Sequence, residues 1–299
     1  MDKTQKILQQ IIDEIENSVS TFDKSIQPIQ QNIVDELQYL LKDLDIRNGV
    51  IVSNVKNLKL ISKLTTRLNT IILSDGYNES VLNFVNTFDT ITSLQNDYFK
   101  ALGESVSTTD YLKELQKVNI EATLNSLTES GINANLVEPI QSILRTNITS
   151  GASFKELNKQ IKTFMVDDAS GLGALSRYST QITTDSLNQY SRQYHDTLAS
   201  NYGYEWYQYV GSNKVTTREF CKYLTAKRYV NRKEFDNLLN GKIDDHQCII
   251  NKKTDLPLGM IAGTNENTLI TYCGGYQCGH GMYAIKDVLV PIAIRNKFK

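Results

Sequence analysis

Cys273-Gly-Gly-Tyr-Gln-Cys278-Gly-His280-Gly281 is the stretch on which the reading of this chain turns. It holds two of the four cysteines and one of the three histidines, set among glycines that allow a tight turn. Cys248 and His246 lie about 25 residues upstream, and Cys221 precedes them by a similar distance, whereas the first 194 residues contain neither residue type. Such crowding has two readings. Zinc takes four thiolate or imidazole ligands in a tetrahedron, usually as two close pairs. The best quartet would join Cys221 and Cys248 or His246 to Cys273, Cys278 or His280. The spacing Cys273-x4-Cys278 is loose for a knuckle, and Cys278-x-His280 is tight for a standard pair. The other reading is a cluster of buried reduced thiols, because free cysteine packs as a small hydrophobe. That second reading is the expectation, with no cofactor required and zinc as the alternative.

Composition narrows the class. The chain has 299 residues, 40% of them hydrophobic, and a formal net charge of −1. This is enough chain for one large or two modest domains with a real core. Balanced charge argues against a surface devoted to gripping nucleic acid. The N-terminus lacks the apolar core of a secretory signal, and no apolar run approaches the ~18–20 residues that span a bilayer. A soluble protein of a reducing cytoplasm, with no membrane partner, is therefore expected.

The expected fold is α+β: a mainly helical N-terminal half, then a C-terminal domain of long helices packed on a small antiparallel sheet. Residues 1–150 carry apolar stripes at three- and four-residue spacing. One runs from Ile7 to Phe22 and a second from Ile33 to Leu44, with Pro28 between them as a first turn or a break. Asn48-Gly49 supplies a helix stop. Further stripes run from Val55 to Ile72 and from Val81 to Tyr98, separated by a turn at Ser74-Asp75-Gly76. Ser107 to Asp110 offer N-caps for a helix ending near Gly131, and a shorter helix runs from Leu136 to Ser150. Such helices suit a docking arm for partner subunits as well as a self-contained bundle. Residues 151–299 begin with a capping box, Ser153-Phe-Lys-Glu156. A polar loop from Asp167 to Gly173 precedes a long helix from Leu175 to Asn201. Tyr204 to Val210 alternates as a strand does. Leu269 to Tyr272 and Met282 to Ile285 are shorter strand candidates, and Asp287 to Ile294 is a final edge strand limited by Pro291.

Catalytic chemistry finds little support. Cys278 paired with His246 or His195 could form a thiolate nucleophile, yet nothing around these residues resembles a nucleophile's setting. Asp167-Asp168 and Asp244-Asp245 sit in polar segments as solvated turn acids. Gly171-Leu-Gly173 is too short for a phosphate loop, and His195 on its tyrosine-rich helix is expected to be a satisfied histidine. One charge feature stands apart. Lys214, Arg218, Lys222, Lys227, Arg228, Arg232 and Lys233 gather with only Glu219 opposing them. This strip is a solvated basic face or a nonspecific phosphate contact.

From Gly151 onward the order of features resembles the Mu F-like minor head proteins of tailed phages, a portal-associated family of head morphogenesis. The elements that carry the resemblance are Asn188 and Arg192 on a long helix, Gly203, Trp206 on a strand, Arg218-Glu-Phe-Cys221, and Gly275-Tyr-Gln-Cys278-Gly-His280. The chain departs from the family in having Gly279 where a basic residue is usual and in a proline-poor end. The resemblance implies a virion-internal, non-enzymatic protein that assists head assembly and DNA packaging or ejection. Its implied partners are the portal protein, other head or scaffold subunits, and packaged DNA, met in the capsid interior after assembly in the host cytoplasm. Two other classes stay open: a small zinc-stabilised nucleic-acid binder, and an enzyme or toxin carried on a Mu F-like domain.

Overall fold

The long apolar stripes become long helices, and the aromatic segment after Gly203 becomes the centre of a sheet. The computed structural model describes residues 3–166 and 173–298, and the protein is α+β with a helical N-terminal half. Helix α1 (Lys3–Leu41) leads into a hairpin of β1 (Ile46–Arg47) and β2 (Val50–Ile51). Helices α2 (Val55–Ile72), α3 (Asp75–Val85), α4 (Thr87–Ala101) and α5 (Asp110–Leu127) follow. The short α6 (Glu129–Ile132) passes through a π turn at Asn133–Val137 into α7 (Glu138–Ser150). Then come α8 (Phe154–Val166) and α9 (Ala174–Asn201). The rest of the chain alternates short elements. These are β3 (Trp206–Val210), α10 (Glu219–Lys227), β4 (Tyr229–Asn231), α11 (Phe235–Leu239), β5 (Lys242–Ile243) and β6 (His246–Gln247). They continue with β7 (Ile250–Asn251), β8 (Leu256–Pro257), α12 (Leu269–Tyr272), β9 (Gly281–Ala284) and α13 (Ile292–Arg295). Among the described residues, no helix is long and apolar enough to cross a membrane.

These elements form two compact units, each assembled from separated stretches of chain. One comprises Met1–Glu16, Thr87–Asn119 and Thr184–Lys299, and the other Asn17–Asn86 and Ile120–Thr183. The division expected at residue 150 is not the one the contacts draw. A change in composition along the chain marks where strands begin, but it cannot show that α4 packs with a sheet a hundred residues later.

In the first unit the sheet has the order β4-β3-β9, antiparallel throughout, with Tyr207 opposite Val230 and Tyr209 opposite Met282. Alternation along β3 sends Trp206 to one face and Tyr207 and Tyr209 to the other. Trp206 packs with Ile285 and Val290, and the Phe298 ring meets it edge-on at 5.1 Å. α4 lays polar and aromatic side chains into the same unit: the Tyr98 hydroxyl donates to the Ala284 carbonyl at 2.9 Å. His195, fully buried on α9, is satisfied at both ring nitrogens. Nδ1 pairs with Gln95 Oε1 at 2.8 Å, and Nε2 accepts the Ala284 amide at 2.7 Å.

The second unit is helical around Phe22, Tyr77 and Phe84, whose rings meet edge to face. The Tyr77 hydroxyl donates to the Leu127 carbonyl at 2.6 Å. Its polar keystone is Asn57, fully buried in the first turn of α2. The Asn57 amide group donates to the Asp45 and Val52 carbonyls, and its oxygen accepts the Asp45 amide at 2.8 Å.

Several local expectations change. Pro28 does not break α1, which is continuous over 39 residues. The proline lies on the exposed side, where water can take the carbonyl that it frees. Asn48-Gly49 is the turn of the β1–β2 hairpin, with both residues at positive φ (51° and 78°), the conformation that two-residue hairpins favour. The stripe from Val81 to Tyr98 is divided between α3 and α4 at Asn86, and Ser74 precedes α3 as its N-cap. Leu269–Tyr272 is a helical turn, since a four-residue apolar run does not distinguish helix from strand. Asp287 to Ile294 forms a 3-10 turn and the start of α13, not an edge strand. The expected loop from Asp167 to Gly173, with its acid pair, lies outside the described residues except for Gly173.

Replacing Asn57 by alanine leaves the Val52 carbonyl and the Asp45 amide without this partner, and the Asp45 carbonyl with the Val52 amide alone. The expected outcome is a loss of about 2–4 kcal/mol from urea-unfolding stability, against a change near zero for an exposed α2 control such as Lys59→Ala.

Candidate functional site

One face of α9 organises the region. Asp185, Asn188 and Arg192 stand at i, i+3 and i+7, so they share that face. The Arg192 guanidinium is buried and donates to three main-chain carbonyls: Thr271 at 3.2 Å, His280 at 2.5 Å, and Cys278. Asp185 accepts the amide of Gln277, a non-glycine residue at positive φ (55°), at 2.5 Å. Burial pushes the Asp185 carboxyl above its usual range, against the lowering effects of the Gln277 amide and of Arg192 and Arg218. Asn188 is buried but bonds back to the Thr184 carbonyl of its own helix.

A second arginine grips the same turn from α10. Arg218, the residue at the α10 N-cap, donates to the carbonyls of Gly274 and Tyr276, each at 2.8 Å. One stretch of chain that exposes so many carbonyls is thus held by two guanidinium groups, whose planar forks suit several acceptors at once. Gly275 is at φ 89°, and a Cβ there would collide with the Gly259 carbonyl oxygen. Gly274 (φ 71°) matters differently: a Cβ on it would lie 2.5 Å from both Cys221 Sγ and Cys278 Sγ.

Those two sulfurs are 3.6 Å apart, and Cys278 Sγ is 3.8 Å from His280 Nδ1. The ligand atoms of Cys221, Cys278 and His280 all lie within 4.8 Å of one another, and all three residues are buried. The Tyr209 ring stacks on His280 with centroids 5.6 Å apart. The Tyr209 hydroxyl and His280 Nε2 are buried without hydrogen-bond partners. Within the thiol pair the two sulfurs share a hydrogen bond in which either can be the donor. That bond, ahead of the His280 ring and the nearby Arg192 charge, holds Cys278 below the ordinary thiol pKa despite burial, and it pushes Cys221 up. Burial raises Cys273, which is also fully buried beside the group. A cleft of about 100 Å³ is lined by Cys221, Cys278 and His280 together with the charged side chains of Glu16, Lys214 and Arg218.

The structure therefore brings together part of the expected ligand set. Cys221, Cys278 and His280 meet, Cys273 lies outside the group, and the second upstream pair does not join it. His246 is exposed on β6, stacked on Tyr223 at 4.3 Å. Cys248 is buried elsewhere, its amide on the Gly241 carbonyl, and burial pushes its thiol up to about 11. The nucleophile partners considered for Cys278 do not hold either: His195 has both nitrogens engaged in the core, and the imidazole nearest the thiol is His280. Asp244 and Asp245 are exposed, and Asp244 pairs with Lys227.

The basic strip is dispersed by folding. Arg218 serves the turn, Lys227 pairs with Glu234 at 2.8 Å and with Asp244, and Arg232 pairs with Asp196 at 2.5 Å and with the Tyr207 hydroxyl. Arg228 lies over the Tyr229 ring and Lys233 donates to the Phe298 carbonyl. Lys214 and Lys222 remain exposed. Asp185, Tyr209 and Gly274 are site residues that the sequence reading passed over. Asp185 could have been found from its helical spacing to Arg192 and Tyr209 from strand alternation, while Gly274 is marked in sequence only as part of a glycine turn and not as the neighbour of two thiols.

No family model, curated protein or solved structure matches the chain.

Two measurements probe this region. Arg192→Lys keeps the charge but cannot reach three carbonyls, and it is expected to lower unfolding free energy by at least about 3 kcal/mol in urea titration. His195 is held neutral by burial, with its pKa lowered from 6.5 to about 3. Over that window the unfolded chain binds the extra proton, so stability is full above 6.5 and is lost as pH falls. Its share of the slope approaches about 1.4 kcal/mol per pH unit. Unfolding free energies measured down to about pH 5, above the main carboxylate range, should show this slope, and His195→Gln should remove it.

Proposed function

We propose that the chain is a minor head protein of a tailed phage, a non-enzymatic assembly factor that works inside the capsid at the portal. What carries the reading is convergence. Six residues of the family-like signature, Arg192, Arg218, Cys221, Gly275, Cys278 and His280, meet at one turn, although they come from α9, from α10 and its N-cap, and from the segment before β9. Trp206 anchors the C-terminal segment on the opposite face of the same sheet. A signature whose members hold a turn to a helix and a sheet fits a protein selected for its shape as a building block.

The helical unit supplies a docking surface for portal or scaffold. Tyr39, Val55, Leu58, Leu73 and Leu82 are exposed apolar side chains there, of the kind that a partner subunit covers. Contact with packaged DNA is a smaller part of the reading. With Arg218, Lys227 and Arg232 committed within the fold, phosphate contact rests on Lys214 and Lys222, aided by Arg228 and Lys233, so its salt dependence is shallow.

The deciding experiment pairs the chain with the portal protein of the phage whose genome carries it. A tagged chain co-expressed with that portal should elute with it, and particles from infected cells should contain the chain. Virions with no trace of it, together with infectious particles from a deletion, would sink the proposal.

A further inference from the structure

We propose that Cys221, Cys278 and His280 bind one zinc ion whose fourth position faces the cleft above them. The proposal stands apart from the head-protein reading, because it rests on the geometry of one side-chain cluster.

The spacing matches a tetrahedron's edges. With Zn–S of ~2.3 Å and Zn–N of ~2.05 Å, tetrahedral coordination places two sulfurs about 3.8 Å apart and a sulfur and a nitrogen about 3.6 Å apart. The observed separations are 3.6 Å between the sulfurs and 3.8 Å from Cys278 Sγ to His280 Nδ1. The third edge, from Cys221 Sγ to the ring, is within 4.8 Å. Two thiolates and an imidazole are donors that select zinc over magnesium or calcium.

Two further observations suit a ligand at this place. Gly274 leaves open the space in front of both sulfurs that any Cβ would fill. The Tyr209 hydroxyl is buried against the thiols without a hydrogen bond of ordinary geometry, and a metal-bound thiolate is a stronger acceptor for such a hydroxyl than a thiol. His280, only 6% exposed, lines the cleft and turns Nδ1 toward Cys278 Sγ. The cleft provides an entry path and room for a water as the fourth ligand. On binding, each thiol loses its proton to solvent and two Zn–S bonds form, so no oxidant or reductant takes part. The ion then joins α10, which carries Cys221, to the closing turn that carries Cys278 and His280. This adds a third clasp to those made by Arg192 and Arg218.

The test uses the full chain, freed of metal by chelator under reducing conditions and titrated with zinc alone and, in parallel, with cobalt(II) as a spectroscopic probe. The expected results are one equivalent of zinc retained per chain after desalting and a melting temperature that rises with zinc and falls back with chelator. Cobalt should show thiolate charge-transfer absorption and tetrahedral visible bands. Cys221→Ser and Cys278→Ser should each abolish stoichiometric binding, while Cys248→Ser retains it. Should a variant fail to fold, the wild-type cobalt spectrum decides, because it reports the thiolates directly. Failure of the wild-type chain to take up zinc overturns the proposal, as does a cobalt spectrum without thiolate bands. So does a Cys221–Cys278 disulfide in protein kept free of air, or undiminished binding by folded Cys221→Ser and Cys278→Ser.

Discussion

The buried guanidinium of Arg192 fixes the sheet unit's closing turn to α9, as Arg218 ties the same turn to α10. Arg192 has its guanidinium out of water, and what compensates that desolvation is a set of main-chain carbonyls from Thr271, Cys278 and His280. A turn rich in glycine has many carbonyls and few side chains to cover them. The arginine solves both problems at once: its donors are satisfied, and the turn acquires a fixed path over α9. From that path follow the meeting of Cys278 with Cys221, the stacking of His280 on Tyr209, and the entry of the chain into β9 in register with β3.

The same economy of polar groups runs through the rest of this unit. His195 is neutral and doubly bonded between Gln95 and the β9 backbone, so α4, α9 and β9 are joined through one imidazole. Arg232 faces Asp196 and the Tyr207 hydroxyl, linking the segment after β4 to α9 and β3. Such networks explain why a cluster of basic residues in sequence is not a basic patch in space. Several of its charges are spent on holding short elements that have too little apolar surface to hold themselves.

Periodicity made the helices legible. The stripes from Ile7 to Phe22 and from Val55 to Ile72, and the tyrosine face of α9, follow from local geometry alone, as does the alternation of β3. Short segments escaped it. Leu269–Tyr272 and the residues around Pro291 are too brief for a period to show, and their conformations depend on the turns that flank them. Asn48-Gly49 terminates helices and turns hairpins alike, and the choice between them came from pairing with the backbone at Ala152 and Phe154. In the site, residue type marked Cys221, Cys278 and His280 as chemically capable, while Cys248 and His246, equally capable, fell elsewhere.

By itself, then, the sequence determined the class of fold, the positions of the long helices and the central strand, and the short list of residues able to bind a metal or close a turn. These depend on side-chain chemistry and on spacing within one element, which are local properties. The tertiary structure decided which members of that list meet, how the chain divides into units, and which charges remain for partners. Those outcomes depend on contacts between residues far apart in sequence, such as Arg192 with His280 or Tyr98 with Ala284. No periodicity encodes them, because each is set by how the whole chain satisfies its buried polar groups.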